Sequence, residues 1–521
     1  SSNQVRWLYN QLEGNLKAVA TIPNNFVTKH IVKGRCKLFE LYLQTRSEAN
    51  EFFKPLMGFY GKSGLNKEAY IKDLFKYSSE IPIGEVDTER FEDAVGQVIE
   101  IMMQWNFREC KYITDCDQIF ESLNMKAAVG ALYSGKKKAY FENSTFDDRN
   151  HLLQLSCLRL FKGDLGIWNG SLKAELRPIE KVEANKTRTF TAAPIETLLG
   201  GKVCVDDFNN QFYDLNMKCP WTVGMTKFYC GWNDLLGKLP DGWIYRDADG
   251  SRFDSSLTPY LLNAVLGIRE FFMEDWDIGV QMLRNLHTEI IYTPIATPDG
   301  TVVKKFRGNN SGQPSTVVDN TLMVCICVQY SLIMNSVKFE NQDDVCRYFV
   351  NGDDLLLAIN PKFIHILDSF KVHFANLGLD YDFSHRTKDK GELWFMSHKG
   401  VKLNDMYIPK LEPERVVSIL EWDRSVKPEH RLEAICASMI EAWGYPRLIH
   451  EIRKFYAWVL EQAPYNHLAS EGKAPYISET ALKRLYTCEE GSADEIMSYL
   501  EMCASDLNED EYFDDEDVSH Q

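Results

Sequence analysis

Carboxylates stand together at two places where a strand-like run ends, a pattern that suits hard divalent cations. One is Asn351-Gly352-Asp353-Asp354, between the apolar runs 345–350 and 355–359. Asn-Gly between such runs predicts a β-hairpin, because both residues tolerate positive φ. Two adjacent carboxylates should then sit at its tip. The other is Trp243-Ile244-Tyr245-Arg246-Asp247-Ala248-Asp249, an aromatic and β-branched strand that breaks at Gly250 and is followed by Asp254. Side chains alternate along a strand, so Asp247 and Asp249 share a face, and the face alone does not choose between them. Asp254-Ser255-Ser256 could also open the helix that follows. Mg2+ usually takes one or two carboxylates plus waters and substrate phosphates. Two such ions, roughly 3.5–4 Å apart, serve in-line phosphoryl transfer. That chemistry needs carboxylates from two neighbouring strands, and these two tracts can supply them.

Two further tracts suit a phosphorylated ligand. Gly308-Asn309-Asn310-Ser311-Gly312-Gln313-Pro314-Ser315-Thr316 begins as a Gly-rich loop whose amides can approach a phosphate or base. It runs into a helix with Pro314 in the first turn, and Thr316 and Asn320 fall on one helix face. Lys173, Arg177, Lys181, Lys186 and Arg188 form a run of cations spaced to meet a triphosphate, with Arg offering bidentate contacts.

In chain order, these tracts resemble motifs F, A, B and C of viral RNA-dependent RNA polymerases of the picornavirus-like supergroup. The match is a basic tract, Asp-x4-Asp, Ser-Gly-x3-Thr-x3-Asn and Gly-Asp-Asp. The wording around Asp254 and Ser311 is similar to that of the potyviral members. The motif-bearing resemblance runs from about residue 126 to about 410. It implies an α+β right-hand polymerase with an antiparallel palm sheet and a helical thumb. The implied division is 1–240 N-terminal region and fingers, 241–400 palm with a fingers insertion near 268–307, 401–505 thumb, and 506–521 acidic tail.

The resemblance further implies that Asp249, Asp353 and the accessory Asp354 hold two Mg2+ ions, with Mn2+ able to substitute. Asp247 is the lesser candidate. Asp254 and Asn320 would recognise the ribose 2′-OH, the group that separates RNA from DNA. Ser311, Gly312 and Thr316 would monitor the nascent pair, and the five cations above would grip the triphosphate. Gly130 with Gly135, Lys136, Lys137 and Lys138 resembles a template-entrance loop. Trp394-Phe395 resembles the segment supporting the primer 3′ end. Among Arg386, Lys388 and Lys390, Lys388 is favoured as the proton donor to pyrophosphate. Implied partners are template and product RNA, nucleoside triphosphates, a viral genome-linked protein or protease that would serve as uridylylated primer, and other viral and host replication proteins. Membrane association would come only through partners, in cytoplasmic replication complexes, with accumulation in the nucleus. A start without Met and the Val518-Ser519-His520-Gln521 end fit cleavage from a polyprotein.

These residues need a large scaffold. The 521 residues exceed one core, and 45% hydrophobic with 26% charged residues is globular composition. The apolar stretch 321–334 is short for a membrane span, and no signal peptide opens the chain. Thirteen cysteines without a CxxC pair indicate packing in a reducing compartment. The net charge of −17 speaks against a polyanion partner, but segment 506–517 alone holds eight acidic residues. Segment 126–188 holds twelve Lys/Arg against seven Asp/Glu, a band compatible with nucleic acid. Beyond Pro409, Leu432, Ile435, Cys436, Met439, Ile440 and Trp443 follow one buried helical face, and Gly444-Tyr445-Pro446 separates it from a further helix. Residues 1–125 read as mixed helix and loop without assignable chemistry. A reverse transcriptase would usually carry a bulky residue where Asp254 stands, and a nuclease would not need the Ser-Gly…Thr…Asn helix. An inactive RNA-binding scaffold would not need Asp249, Asp353 and Asn320.

Overall fold

Leu355-Leu356-Leu357-Ala358-Ile359 is apolar at every position, the pattern of a strand covered on both faces. In the computed structural model it lies in the middle strand, Asp354–Ile359, of an antiparallel sheet flanked by Ile244–Ala248 and Cys346–Asn351. Leu355, Leu357 and Ile359 enter one core, while Leu356 and Ala358 enter a smaller one with Trp232, Leu236 and Phe395. The structure describes residues 8, 12, 14–23, 34–80, 84–123, 137, 141–423 and 425–488.

The larger core is built around the helix Thr316–Met334, which is buried from Val318 to Leu332. A helix that is apolar all round must be covered all round. Here the covering comes from the helices Thr88–Gln104, Pro259–Phe272 and Leu367–Asn376. Length and composition alone would let this helix cross a membrane, but its packing inside the protein explains its apolarity. Every cysteine among the described residues is free, and all but Cys157 and Cys488 are buried.

A five-stranded sheet runs in the order Lys17–Thr21, Thr301–Lys304, Pro294–Ala296, Trp168–Leu172, Thr189–Ala192. Its last two strands are the arms of the basic tract, closed by Lys173 N donating to Arg188 O at 2.8 Å. Within that tract Leu176–Pro178 pairs with Tyr60–Lys62. A third sheet joins Trp394–Phe395, His398–Leu403 and Met406–Lys410.

After it come the helices Pro413–Glu421, Pro428–Ala442, Pro446–Val459, Tyr465–Ser470 and Glu479–Thr487. The periodic apolar residues from Leu432 to Trp443 are all buried, and Pro446 opens the next helix. The early helices Lys37–Thr45 and Ser47–Phe53 pack here. Phe39 and Tyr42 each lie 5.0 Å from Phe455, centroid to centroid, and Arg35 bridges to Trp422. The N-terminal region therefore reaches across to the C-terminal helices.

Candidate active site

The hairpin forms, but shifted by one residue from the Asn-Gly expectation. Asp354 pairs with Asn351, leaving Gly352 and Asp353 as the two-residue loop. Only Gly352 takes positive φ (59°), as at the first loop position of a type II′ turn. The tip is gripped from three sides. Gly352 N donates to Thr321 Oγ1 (2.8 Å), Asn351 Nδ2 donates to Thr222 Oγ1 (3.1 Å), and the Tyr381 hydroxyl donates to Asp353 O. Thr321 carries no sequence signal, because a threonine in an apolar helical run reads as core.

The strand Ile244–Ala248 ends opposite Leu355, so Asp249 emerges beside Asp354. Asp247 is occupied elsewhere: its carboxylate accepts from Trp394 N (2.7 Å) and lies 3.6 Å from the Arg246 guanidinium. Burial, then the charges of Asp354, Asp254 and Asp249, push Asp353 up to about 7. Burial and the charge of Asp249 push Asp354 up to about 6. Such mutual repulsion marks four converging carboxylates, and it is the environment a divalent cation relieves. Among the described residues no group of three or more His, Cys, Asp or Glu side chains is placed to hold a metal ion by itself. Ligand positions left to phosphates and water are the habit of Mg2+, so the donor set fits.

Asp254 lies in the short helical turn Phe253–Ser256 and does not cap the long helix, which Thr258 caps by accepting from Leu261 N. Its Oδ1 accepts from Asn320 Nδ2 (3.2 Å), and its backbone O accepts from Asn309 N (2.9 Å). The helix bearing Asn320 begins at Thr316 after the cap residue Ser315, so Pro314 precedes the first turn instead of lying in it. Thr316 Oγ1 donates to Asn310 O (2.8 Å), tying the Gly-rich loop to the helix. Ser311 Oγ accepts from Thr191 N (3.1 Å), and Gly312 N donates to Thr191 O (2.9 Å). The loop thus lies flush on the strand that leaves the basic tract. A Cβ on Gly312 would stand 2.6 Å from Thr191 O and 2.8 Å from Ala192 Cα, both backbone atoms. Gly312→Ala should therefore lift the loop off this strand and cost roughly 1–3 kcal/mol of stability. Urea unfolding checks this, and an unchanged midpoint would show that the loop accommodates the methyl group.

The basic tract carries an acid that spacing alone underrated. Glu175, nearly buried, accepts from Arg188 at 2.6 and 2.5 Å and lies 3.8 Å from Arg177. Burial, then the neighbouring Arg188 charge, pulls Arg177 down from its ordinary value. Arg177 also donates to Lys186 O. Lys173 sits over the Phe190 ring at 5.6 Å, Lys181 is half-buried and Lys186 exposed.

The structure does not bring Lys388 to the carboxylates. Thr387 pairs with Tyr245, four residues before Asp249, which puts Lys388 roughly 13 Å or more down the strand. Of its neighbours, Arg386 pairs with Asp368 (2.7 Å) and Lys390 with Asp241 (2.8 Å). Gly130, Gly135, Lys136 and Lys138 lie outside the described residues, and Lys137 is buried rather than presented to a template. Trp394 is 41% exposed, whereas Phe395 is a core residue.

Phe395 pairs with His398, so Met396 and Ser397 form a loop with φ of 53° and 66°. Two non-glycine residues hold this strained conformation because both ends of Met396 are tied. Its N donates to Asp354 Oδ2 (3.3 Å), and its O meets His398 Nδ1 (2.6 Å). Lys227 Nζ lies 2.8 Å from His398 Nε2 and from both oxygens of Glu441. Burial, then the Lys227 charge, keeps the imidazole neutral, down to about 3. Lys227 can only donate, so the proton sits on Nδ1 and points at Met396 O.

Comparisons with known proteins bear on the family and the fold. The chain matches the family model for viral RNA-dependent RNA polymerase over residues 40–460. It is 66% identical over 509 residues to a genome polyprotein of Plum pox potyvirus (strain D), covering 98% of the chain, and 62% identical over 508 residues to that of Turnip mosaic virus (strain Japanese), again covering 98%. The chain spans only 16% of the length of each polyprotein. Its fold superposes on a Sicinivirus 3Dpol RNA-dependent RNA polymerase with a TM-score of 0.68 at 15% identity, covering 88% of this chain and 98% of that one. The fold is the α+β right-hand polymerase. With its carboxylates, hairpin and Gly-rich loop in this arrangement, the chain belongs to the viral RNA-dependent RNA polymerase family.

Proposed function

We propose that the chain carries out template-directed RNA synthesis, joining the α-phosphate of a nucleoside triphosphate to an RNA 3′-OH and releasing pyrophosphate. The supporting observation is the convergence of Asp249, Asp353 and Asp354 beside the Asp254–Asn320 pair, at one end of an antiparallel sheet. In this reading 241–400 is the palm, with a fingers insertion near 268–307; 1–240 is the N-terminal region and fingers, 401–505 the thumb and 506–521 the tail. Asp249, Asp353 and Asp354 hold two Mg2+ ions, or Mn2+, whose charge supports the attacking oxygen and the triphosphate. Asp254 and Asn320 take the ribose 2′-OH. Ser311, Gly312 and Thr316 form the wall against the new base pair. Lys173, Arg177, Lys181, Lys186 and Arg188 draw in the triphosphate, and Glu175 holds the two guanidinium groups in place until phosphate oxygens compete for them. Trp394 is available to the primer end. Lys388 is not proposed as the proton donor, because the register holds it away from the carboxylates.

The potyviral kinship supports a genome-linked protein as uridylylated primer, and viral and host replication proteins as partners. It supports work in cytoplasmic replication complexes that reach membranes through those partners, with accumulation in the nucleus.

Primed poly(A) with UTP is the test. The protein should incorporate UMP with Mg2+ or Mn2+, lose this with EDTA, and use dUTP far less well. Asp249→Ala should abolish synthesis, whereas Asp247→Ala should retain part of it, since Asp247 holds Trp394. If the protein binds RNA yet incorporates nothing under either metal, with or without a protein primer, the inactive-scaffold reading replaces this one.

A further inference from the structure

Asn320 could meet Asp254 in two orientations, because an amide shows an oxygen on one side and an NH2 on the other. The surrounding hydrogen bonds admit only one. Ser315 N–H is a backbone donor, and it points at Gln313 Oε1 at 2.7 Å. Gln313 must therefore show its NH2 on the opposite side. That NH2 donates to Asp319 Oδ2 (2.9 Å) and to Asn309 Oδ1 (3.0 Å). Asn309 then has its own NH2 turned to Asn320 Oδ1, 2.8 Å away. Asn320 is left with its NH2 toward Asp254 Oδ1, at 3.2 Å. Asn309 is fully buried and Gln313 nearly so, which removes water as a substitute partner. One backbone N–H at the start of a helix thus sets the polarity of three amides in series. Asp319 is itself held by the buried Arg269 at 2.8 Å.

We propose that Gln313 and Asn309 are positioning residues for ribose selectivity, acting through the orientation of Asn320. The proposal rests on the reading of Asp254 and Asn320 as the 2′-OH site. With the relay intact, one hydrogen of the Asn320 NH2 satisfies Asp254 and the other is free to donate to the 2′ oxygen. The second oxygen of Asp254 is free to accept the 2′-OH proton. A reversed Asn320 would set oxygen against oxygen at Asp254 and remove the donor. Only a substrate bearing a 2′-OH would register the difference. A residue that merely supports the fold would affect ribo- and deoxynucleotides alike.

The experiment compares kcat/KM for UTP and dUTP on primed poly(A) in the full chain and in Asn309→Leu, Gln313→Met and Asn320→Ala. Both relay variants should lower the UTP:dUTP ratio by about tenfold, through loss of UTP use with dUTP use nearly unchanged. Asn309→Leu combined with Asn320→Ala should be no less selective than Asn320→Ala alone. Two relay positions are tested so that a folding failure at one, seen by thermal melting, leaves the other decisive. Equal losses for both nucleotides in the relay variants, with the ratio still lowered in Asn320→Ala, overturn the relay and leave the 2′-OH reading standing. A ratio unchanged in Asn320→Ala overturns the 2′-OH reading itself.

Discussion

Replacing Asp353 by Asn is expected to abolish nucleotide incorporation and, in the metal-free protein, to raise thermal stability. The loss of activity should be roughly a thousandfold or more, since the residue would hold the charge that makes the transfer possible. The gain in stability comes from the same cluster. Burial and the charges of Asp354, Asp254 and Asp249 raise Asp353 to about 7, against about 3.9 in an unfolded chain. The folded state therefore holds the proton more tightly than the unfolded one. Below about pH 4 both states are protonated and the cluster costs nothing. Between about pH 4 and pH 7 the unfolded state ionises first, and the cost of folding around the charge grows. Above about pH 7 the cost is complete. Asn carries no charge at any of these pH values, so its advantage should be near zero at about pH 3 and on the order of 1–3 kcal/mol at pH 8. Melting in EDTA at both pH values measures it. A variant no more stable than the parent at pH 8 would show that the carboxylates do not converge as described. Added Mg2+ should stabilise the parent at pH 8 and the variant much less.

The parts of the site that were legible before the fold was known are those carried by local geometry. A hairpin between two apolar runs and two residues one helical turn apart are fixed within a few residues of chain. Asp353, Asp354, Thr316 and Asn320 accordingly lie on the elements that pattern predicts. The one-residue shift at the tip is also local: Asn351 extends the strand and Gly352 alone supplies the positive φ. Periodicity likewise located the helix ending before Gly444 and the one after Pro446.

What could not be read depends on partners distant in sequence. Strand alternation left Asp247 and Asp249 on one face, and only the resemblance favoured Asp249. That Trp394 N engages Asp247, and that Thr321 fixes Gly352, are contacts no local pattern shows. The resemblance favoured Lys388 among three nearby cations, but where it stands depends on the pairing of Thr387 with Tyr245. The cations from Lys173 to Arg188 read as a run suited to a triphosphate, and nothing local says that Glu175 lies between Arg177 and Arg188. Region 1–125 was silent for the same reason. Phe39 and Tyr42 show an ordinary apolar face, and nothing local says that its partner is Phe455.

The buried pair Arg269–Asp319 should give the largest stability loss of any single substitution near the site. Both side chains are essentially inaccessible, and their contact is 2.8 Å. Arg269 also donates to Asn209 (3.0 Å) and to Ser315, and stacks 4.5 Å over Phe208. Asp319→Leu would strand a guanidinium in the core with no compensating charge, a change that costs about 3–5 kcal/mol. Arg269→Met strands a carboxylate that still accepts from Gln313 and Ser315, so its cost should be smaller. The double variant removes both charges and leaves apolar groups of similar volume, so its loss should fall well below the sum of the single losses. Urea unfolding of the four proteins at one pH measures the coupling. Strictly additive losses would mean that the two charges do not depend on each other. The helix start that presents Ser315 N–H would then be held by packing alone.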